Sequence, residues 1–182
     1  MPNNNYSEVI VVDLEATCWN TAEEKAANTS EIIEIGVCVL NVLTGEIRKP
    51  AGLIIKPRQS KISPFCQELT SITQAMVDEG MSFEDGLGIL RSDYGVGNRM
   101  MAGYGNYDKV MLARQCINYG VKPMFGPTYL NISAMATLKL KANKRVGLKS
   151  ALNRLGLKFE GTPHRGVDDA VQAARMLWEI IK

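Results

Sequence analysis

The sequence has few of the residues that announce a metal-thiolate or secreted scaffold. Its four cysteines, Cys18, Cys38, Cys66 and Cys116, are scattered without a CxxC spacing. That scatter points away from a zinc site or a disulfide framework and leaves reduced, small core residues. No stretch approaches the roughly 18 apolar residues that cross a bilayer. The N-terminal MPNNNYSEVI has neither a basic segment nor an apolar core of signal-peptide length, so a cytoplasmic protein with no membrane partner is the expectation. Aromatics make up only 7% and form no repeated stacking platform; Trp178 reads as core, which leaves Trp19, Tyr104 and Tyr107 as aromatic contacts for a ligand. The formal net charge of +2 does not by itself point to a polyanionic partner, although the charge is unevenly spread. What is present, 182 residues with 46% hydrophobic and 22% charged, suits one well-buried domain spanning residues 1–182.

The apolar pattern orders that domain. Val9 to Val12 form a run typical of a strand buried on both faces. TAEEKAANTSE is polar and reads as a loop or frayed turn. Two apolar runs then flank Leu43-Thr44-Gly45-Glu46, which predicts a β-hairpin. Ser63-Pro64, Ser71-Ile72-Thr73 and Ser82-Phe83-Glu84-Asp85 are helix starts, the first with proline at its first helical position. RMMAGY reads as a strand, YDKVMLARQCINYG as a helix closed by Gly120, and TYLNIS as a strand. Helices follow near 131–140, 147–155 and 166–181, the last with an apolar stripe at helical spacing. A hairpin-bearing set of strands followed by alternating strands and helices implies an α/β sandwich with a mixed sheet.

Three acidic places interrupt this pattern. At the end of the first strand, period-two geometry puts Asp13 and Glu15 on one side and Leu14 on the other, with the two carboxylates about 7 Å apart along the strand. Like charges so placed repel unless something positive sits between them. Asp108 opens the helix after GYGNY, where a first-turn acid also suits the helix dipole. The Gly103-x-Gly105 just before it lacks the third glycine of a dinucleotide-binding loop, and an aspartate there has the wrong charge for a pyrophosphate. In HRGVDD, the only histidine, His164, precedes Asp168 and Asp169; both acids fall off the apolar stripe, so helical phase does not choose between them.

Taken together, an acidic pair ending a central strand and further acids opening two helices make a set of hard oxygen ligands suited to Mg²⁺ or Mn²⁺. Two such ions about 3.5–4 Å apart clamp the attacking and leaving oxygens of phosphoryl transfer, and a nearby histidine can take the proton of the attacking water.

These stretches resemble the DEDDh family of 3′→5′ exonucleases, with Asp13-Leu14-Glu15 as the first motif, Asp108 as the second and His164-x4-Asp169 as the third. The third motif's spacing selects Asp169 over Asp168. DLEATCW, EIIEIG, SPFCQELTSIT and GTPHRGVDDA extend the similarity over about residues 8–180 and resemble the branch of RNA 3′-end-trimming exonucleases of the histone-mRNA and RNA-interference-limiting type. Relatives there often carry tryptophan where this chain has Tyr107. The resemblance implies an RNase H-like fold, a five-stranded mixed sheet flanked by helices. It implies two Mg²⁺ or Mn²⁺ ions, one held by Asp13, Glu15 and Asp169 and the other by Asp13 and Asp108, with His164 as general base. It places Thr17, Cys18 and Trp19 near the terminal nucleotide and Tyr107 beside its base.

Residues 139–158 contain Lys139, Lys141, Lys144, Arg145, Lys149, Arg154 and Lys158 and no acid. Beside an acidic site this stretch reads as a guide for a polyanionic strand, with Lys144, Arg145 and Lys149 as substrate contacts. The expected activity is release of nucleoside 5′-monophosphates from the 3′ end of single-stranded nucleic acid, RNA favoured over DNA by the branch resemblance. A DNA exonuclease, an oligoribonuclease-like hydrolase and a non-enzymatic binding protein retaining the fold are the alternatives. Protein partners have no signature in the sequence.

Overall fold

The computed structural model describes residues 7–182 apart from 124, 126 and 127; residues 1–6, part of the stretch read for a targeting signal and of the 1–182 span, lie outside the described residues. Its centre is strand β1 (Glu8–Ala16), which pairs antiparallel with β2 (Ile32–Asn41) and parallel with β4 (Met100–Gly103). Strand β3 (Ile47–Ile54) continues the sheet beyond β2, and β5 (Tyr129–Asn131) lies parallel to β4. The order β3-β2-β1-β4-β5 makes the five-stranded mixed sheet expected from the sequence.

Alternation along β1 divides the core in two. Ile10, Val12 and Leu14 join the cluster that also holds Phe83, Leu87 and Leu90 of α4 (Phe83–Ser92) and Met111 and Leu112 of α5 (Tyr107–Tyr119). Val9 and Val11 join Ala170, Ala173, Ala174 and Leu177 of α8 (Gly166–Ile181), with Ile132 and Ala136 of α6 (Ile132–Lys139) and Leu152 of α7 (Leu148–Arg154). Each such side chain taken fully out of water contributes about 1.5–3 kcal/mol, so both faces of β1 are strongly fixed. Register follows: a one-residue slip would exchange the two faces. By the same alternation, Asp13 and Glu15 continue the α8 side of the strand and Leu14 the other.

Close backbone packing seats α8. A Cβ at Gly36 of β2 would run into the carbonyl of Gly166, and one at Gly166 would meet the Asp13 carbonyl oxygen at 3.0 Å. Only two facing glycines allow the helix N-terminus to come this near the sheet. The first turn of α8 is thereby held beside the end of β1.

The serine and threonine starts behave as expected. Ser63 caps α2 (Pro64–Thr70), Thr73 caps α3 (Gln74–Asp78) and Ser82 caps α4, each accepting from a backbone N–H of the first turn. The polar stretch after β1 corrects the reading: it contains helix α1 (Ala22–Ala27). Thr21 accepts from the Glu24 N–H and Glu24 from the Thr21 N–H, each at 3.1 Å, a reciprocal capping box. None of its residues is buried, so the apolar periodicity that reveals longer helices is missing here. Trp178 is only partly buried, packed on the rim of the α8 cluster rather than within it. All four cysteines are reduced; Cys38, Cys66 and Cys116 are buried and Cys18 is half-buried. Among the described residues no helix is long and apolar enough to cross a membrane.

Candidate active site

Four carboxylates from three elements converge on one cleft of about 620 Å³. Asp13 and Glu15 arrive on β1, whose end projects past the paired part of β4. Asp108 sits in the first turn of α5 and accepts from the Leu14 N–H at 3.0 Å, which ties the helix start to the strand between the two β1 acids. The residue at 103 must be small for this approach, because a Cβ there would lie 2.9 Å from Asp108 Oδ2. Asp169 comes from the first turn of α8 and accepts from the His164 N–H at 2.8 Å. His164 itself is exposed, with its backbone in the left-handed region at φ 62°.

That backbone turn brings the imidazole to the acids. One ligand atom each of Glu15, His164 and Asp169 lie within 4.8 Å of one another. The structure also separates the two aspartates that helical phase left unresolved. Asp169 is buried and turned to the cleft, whereas Asp168 accepts from the Thr162 N–H at 2.8 Å and braces the preceding loop.

Electrostatically the cluster is overloaded. Desolvation, then Asp108, Glu15 and Asp169, hold the Asp13 carboxyl well above its usual range. Burial, followed by Asp169 and Glu34, pushes Glu15 up to about 9. Burial raises Asp108 to about 6 against the opposing Leu14 N–H and Arg145. Burial also raises Asp169, with the His164 N–H opposing. Such a set gains its counter-charge most directly from hard divalent cations, which carboxylate oxygens suit. The residues present therefore fit the Mg²⁺ or Mn²⁺ expected from the sequence.

The remaining expected contacts divide. Tyr107, 55% exposed, lines the cleft, as do Arg145 and Lys149. Tyr104 also lines it but is buried, its hydroxyl donating to the Val146 carbonyl at 2.7 Å. Lys144 is exposed outside the lining. Thr17, Cys18 and Trp19 lie outside the cleft lining, on the chain that leaves β1. Thr17 is fully buried, its hydroxyl accepting from the Glu31 N–H at 2.9 Å, and Trp19 is buried; both belong to the packing after β1. Cys18 turns to the Cys66 thiol, with which it shares a hydrogen bond.

Sequence reasoning missed Glu34 and Arg165. Glu34 is fully buried and accepts from Arg165 Nε at 3.1 Å and from the Gly166 N–H at 2.9 Å, anchoring the loop that carries His164. An acid embedded in the apolar run EIIEIG was the available signal, since a buried charge needs a partner.

Comparison with known proteins agrees with this geometry. The Exonuclease (RNase_T) family model matches residues 10–177. ERI1 exoribonuclease 2 of Mus musculus is 32% identical over 200 residues, which cover 97% of this chain and 29% of that protein. The 3′-5′ exonuclease Snipper of Drosophila melanogaster is 29% identical over 198 residues, covering 97% of this chain and 70% of that protein. The solved nuclease domain of 3′hExo, a DEDDh family member bound to rAMP, aligns with a TM-score of 0.86 at 29% identity, over 96% of this chain and 91% of that one. The chain thus spans less than a third of the mouse relative's length. Its five-stranded mixed sheet with flanking helices is the RNase H-like arrangement of these nucleases. Fold, converging acids and family match lead to one placement: the chain belongs to the Exonuclease (RNase_T) family, in its DEDDh branch.

Proposed function

We propose that this chain is a 3′→5′ exonuclease that removes nucleoside 5′-monophosphates from single-stranded 3′ ends, with RNA favoured over DNA. The observation that carries the proposal is the meeting of Asp13, Glu15, Asp108 and Asp169 with His164 at one cleft. Relatives support the choice of RNA: one solved neighbour at 28% identity is a 3′-exonuclease recognising a histone mRNA stem-loop, and the curated relatives include exoribonucleases.

Asp13, Glu15 and Asp169 would hold one divalent ion, and Asp13 with Asp108 a second, either Mg²⁺ or Mn²⁺. When bound, such ions supply Lewis acidity toward the phosphodiester and counter-charge for the acids. The chain's own groups do the rest. His164, exposed at the mouth of the cleft, accepts the proton of the attacking water at a ring nitrogen. Asp169, by accepting from the His164 N–H, fixes the loop from which that ring projects. Tyr107 offers an aromatic face to the terminal base, and Arg145 and Lys149 offer positive charge to the backbone. Asp108, tied to Leu14, keeps α5 and its Tyr107 in register with β1.

The test is product identity. A 3′-labelled single-stranded RNA and its DNA twin are incubated with the protein and Mg²⁺ or Mn²⁺. Label leaving as a nucleoside 5′-monophosphate from the earliest times, faster from RNA, supports the reading. Label leaving as an oligomer or a 3′-phosphate contradicts it; faster release from DNA moves the substrate to DNA, and action on dinucleotides alone moves it to an oligoribonuclease-like hydrolase.

A further inference from the structure

Two thiols beside the site take no part in the chemistry above. Cys18 lies where the chain leaves β1, and Cys66 lies in α2. The Ser63 hydroxyl ties their backbones together, donating to the Cys18 carbonyl at 2.6 Å and accepting from the Cys66 N–H at 3.0 Å. The same serine caps α2, so the cap that starts the helix also fixes it against the strand exit. The side chains meet directly: both the thiol and the backbone N–H of Cys18 donate to the Cys66 sulfur. Two cysteines whose backbones are bridged by one hydroxyl and whose sulfurs already touch meet the closeness that a disulfide demands.

The two sulfurs differ in access and in acidity. Cys66 is fully buried and Cys18 half-buried, so a small solute meets the pair at Cys18. The bond from the Cys18 thiol holds Cys66 down at about 7, against its own burial. The same bond, with burial, keeps Cys18 up. The pair thus releases one proton near neutral pH and shares the other across the contact. Cys38 is different: it is fully buried, and desolvation pushes it up to about 12, which leaves it a packing residue.

We infer that Cys18 and Cys66 are a modification site, a thiol pair that a hydroperoxide converts to a disulfide, slowing hydrolysis at the adjacent cleft until a dithiol restores it. With hydrogen peroxide, the Cys18 sulfur attacks the O–O bond, which breaks to give a sulfenic acid and one water. The Cys66 sulfur then attacks the Cys18 sulfur, and the sulfenic oxygen leaves as a second water. Each sulfur gives up one electron and the peroxide takes two; the two thiol protons end in the waters.

The end of β1 transmits the change. As a thiol, Cys66 donates to the Ala16 carbonyl at 3.7 Å, and the pairing of β1 with β2 shifts register between Glu15 and Ala16. Bonding the sulfurs removes that donor and draws the strand exit toward α2. It does so where the ladder is already irregular and one residue from Glu15. The effect on hydrolysis rests on the exonuclease reading, whereas formation of the bond does not.

The test treats the full chain with a small molar excess of hydrogen peroxide. After the remaining thiols are alkylated and the chain is digested, mass spectrometry is expected to find a peptide linked through Cys18 and Cys66. Hydrolysis of single-stranded RNA is expected to fall about tenfold, as a small displacement of Glu15 would cause, and to return with dithiothreitol. Cys66→Ser, compared with its own untreated rate, is expected to lose both the link and the reversible inhibition. Cys66→Ala makes the same comparison should the serine disturb the buried position. Absence of the link, a link that leaves the rate unchanged, or the same reversible loss in the Cys66 variants would overturn the inference. If the wild type hydrolyses no strand, the exonuclease reading alone fails, and the mass spectrum still decides the link.

Discussion

Glu15 of β1 and Glu34 of β2 are direct cross-strand partners, and both are buried. Like charges so placed repel, and the fold resolves this by giving Glu34 its own counter-ion, Arg165, while Glu15 is left facing the cleft. Glu34 therefore acts in two directions: it raises the proton affinity of Glu15 and anchors the α8 start through the Gly166 N–H.

Removing that anchor should be visible as lost stability. Glu34→Ala leaves the buried Gly166 N–H without its acceptor, at about 1–3 kcal/mol. Thermal unfolding should register this as a Tm lower by several degrees, and hydrolysis should fall because His164 and Asp169 flank the loosened turn. An unchanged Tm would remove Glu34 from this role.

The metal-free protein should lose stability as pH rises. Glu15 moves from its ordinary 4.5 to about 9 in the fold, and Asp108 from 3.8 to about 6, so the native state binds protons that the unfolded chain has released. With the folded pKa raised, the favourable contribution is present in full below about pH 4.5 and is lost as pH climbs toward about 9. In chelator, Tm should decline across that window; saturating Mg²⁺ or Mn²⁺ should suppress the decline, since ion binding takes up the deprotonated form. A Tm rising with pH in chelator would contradict the overloaded cluster.

His164 should separate chemistry from metal binding. His164→Ala is expected to lower kcat about 10²–10⁴-fold. Calorimetric titration should find Mn²⁺ affinity retained. A lost affinity would make His164 a ligand instead. His164→Gly provides a control at this φ of 62°, where glycine is relaxed and any additional folding defect of the alanine variant would disappear.

Salt should reveal which cations meet phosphates. Reversal of Arg145 or Lys149, which line the cleft, should flatten the dependence of log affinity on log salt by about one unit each. Reversal of Lys144, outside the lining, should change it less. Equal effects at all three positions would return the basic stretch to a diffuse, solvated face.

Much of the fold was legible because its signals are local. The apolar run before Asp13, the turn at Leu43–Glu46 and the caps Ser63, Thr73 and Ser82 each specify their element within a few residues. Helix α1 escaped because its information lies in side-chain to backbone hydrogen bonds and not in an apolar stripe. At the site, Asp13 and Glu15 followed from strand alternation, but the choice of Asp169 over Asp168 needed either the motif spacing or the loop turned back at His164. Thr17 and Trp19 are buried where the chain leaves β1, a direction that sequence adjacency to Glu15 does not give. The Glu34–Arg165 pair joins residues 131 apart, a relation no local pattern contains.

The central claim, that these acids and this histidine form a metal-dependent 3′-end nuclease, is tested most directly by a time course on 5′-labelled single-stranded RNA. Wild type and Asp13→Asn are run side by side with Mg²⁺, with Mn²⁺ and with chelator. The account predicts a ladder shortening from the 3′ end in either metal, none in chelator, and a rate lower by about a thousandfold or more in the variant, which still folds. A ladder that persists in chelator, or that Asp13→Asn produces as fast as wild type, would contradict it.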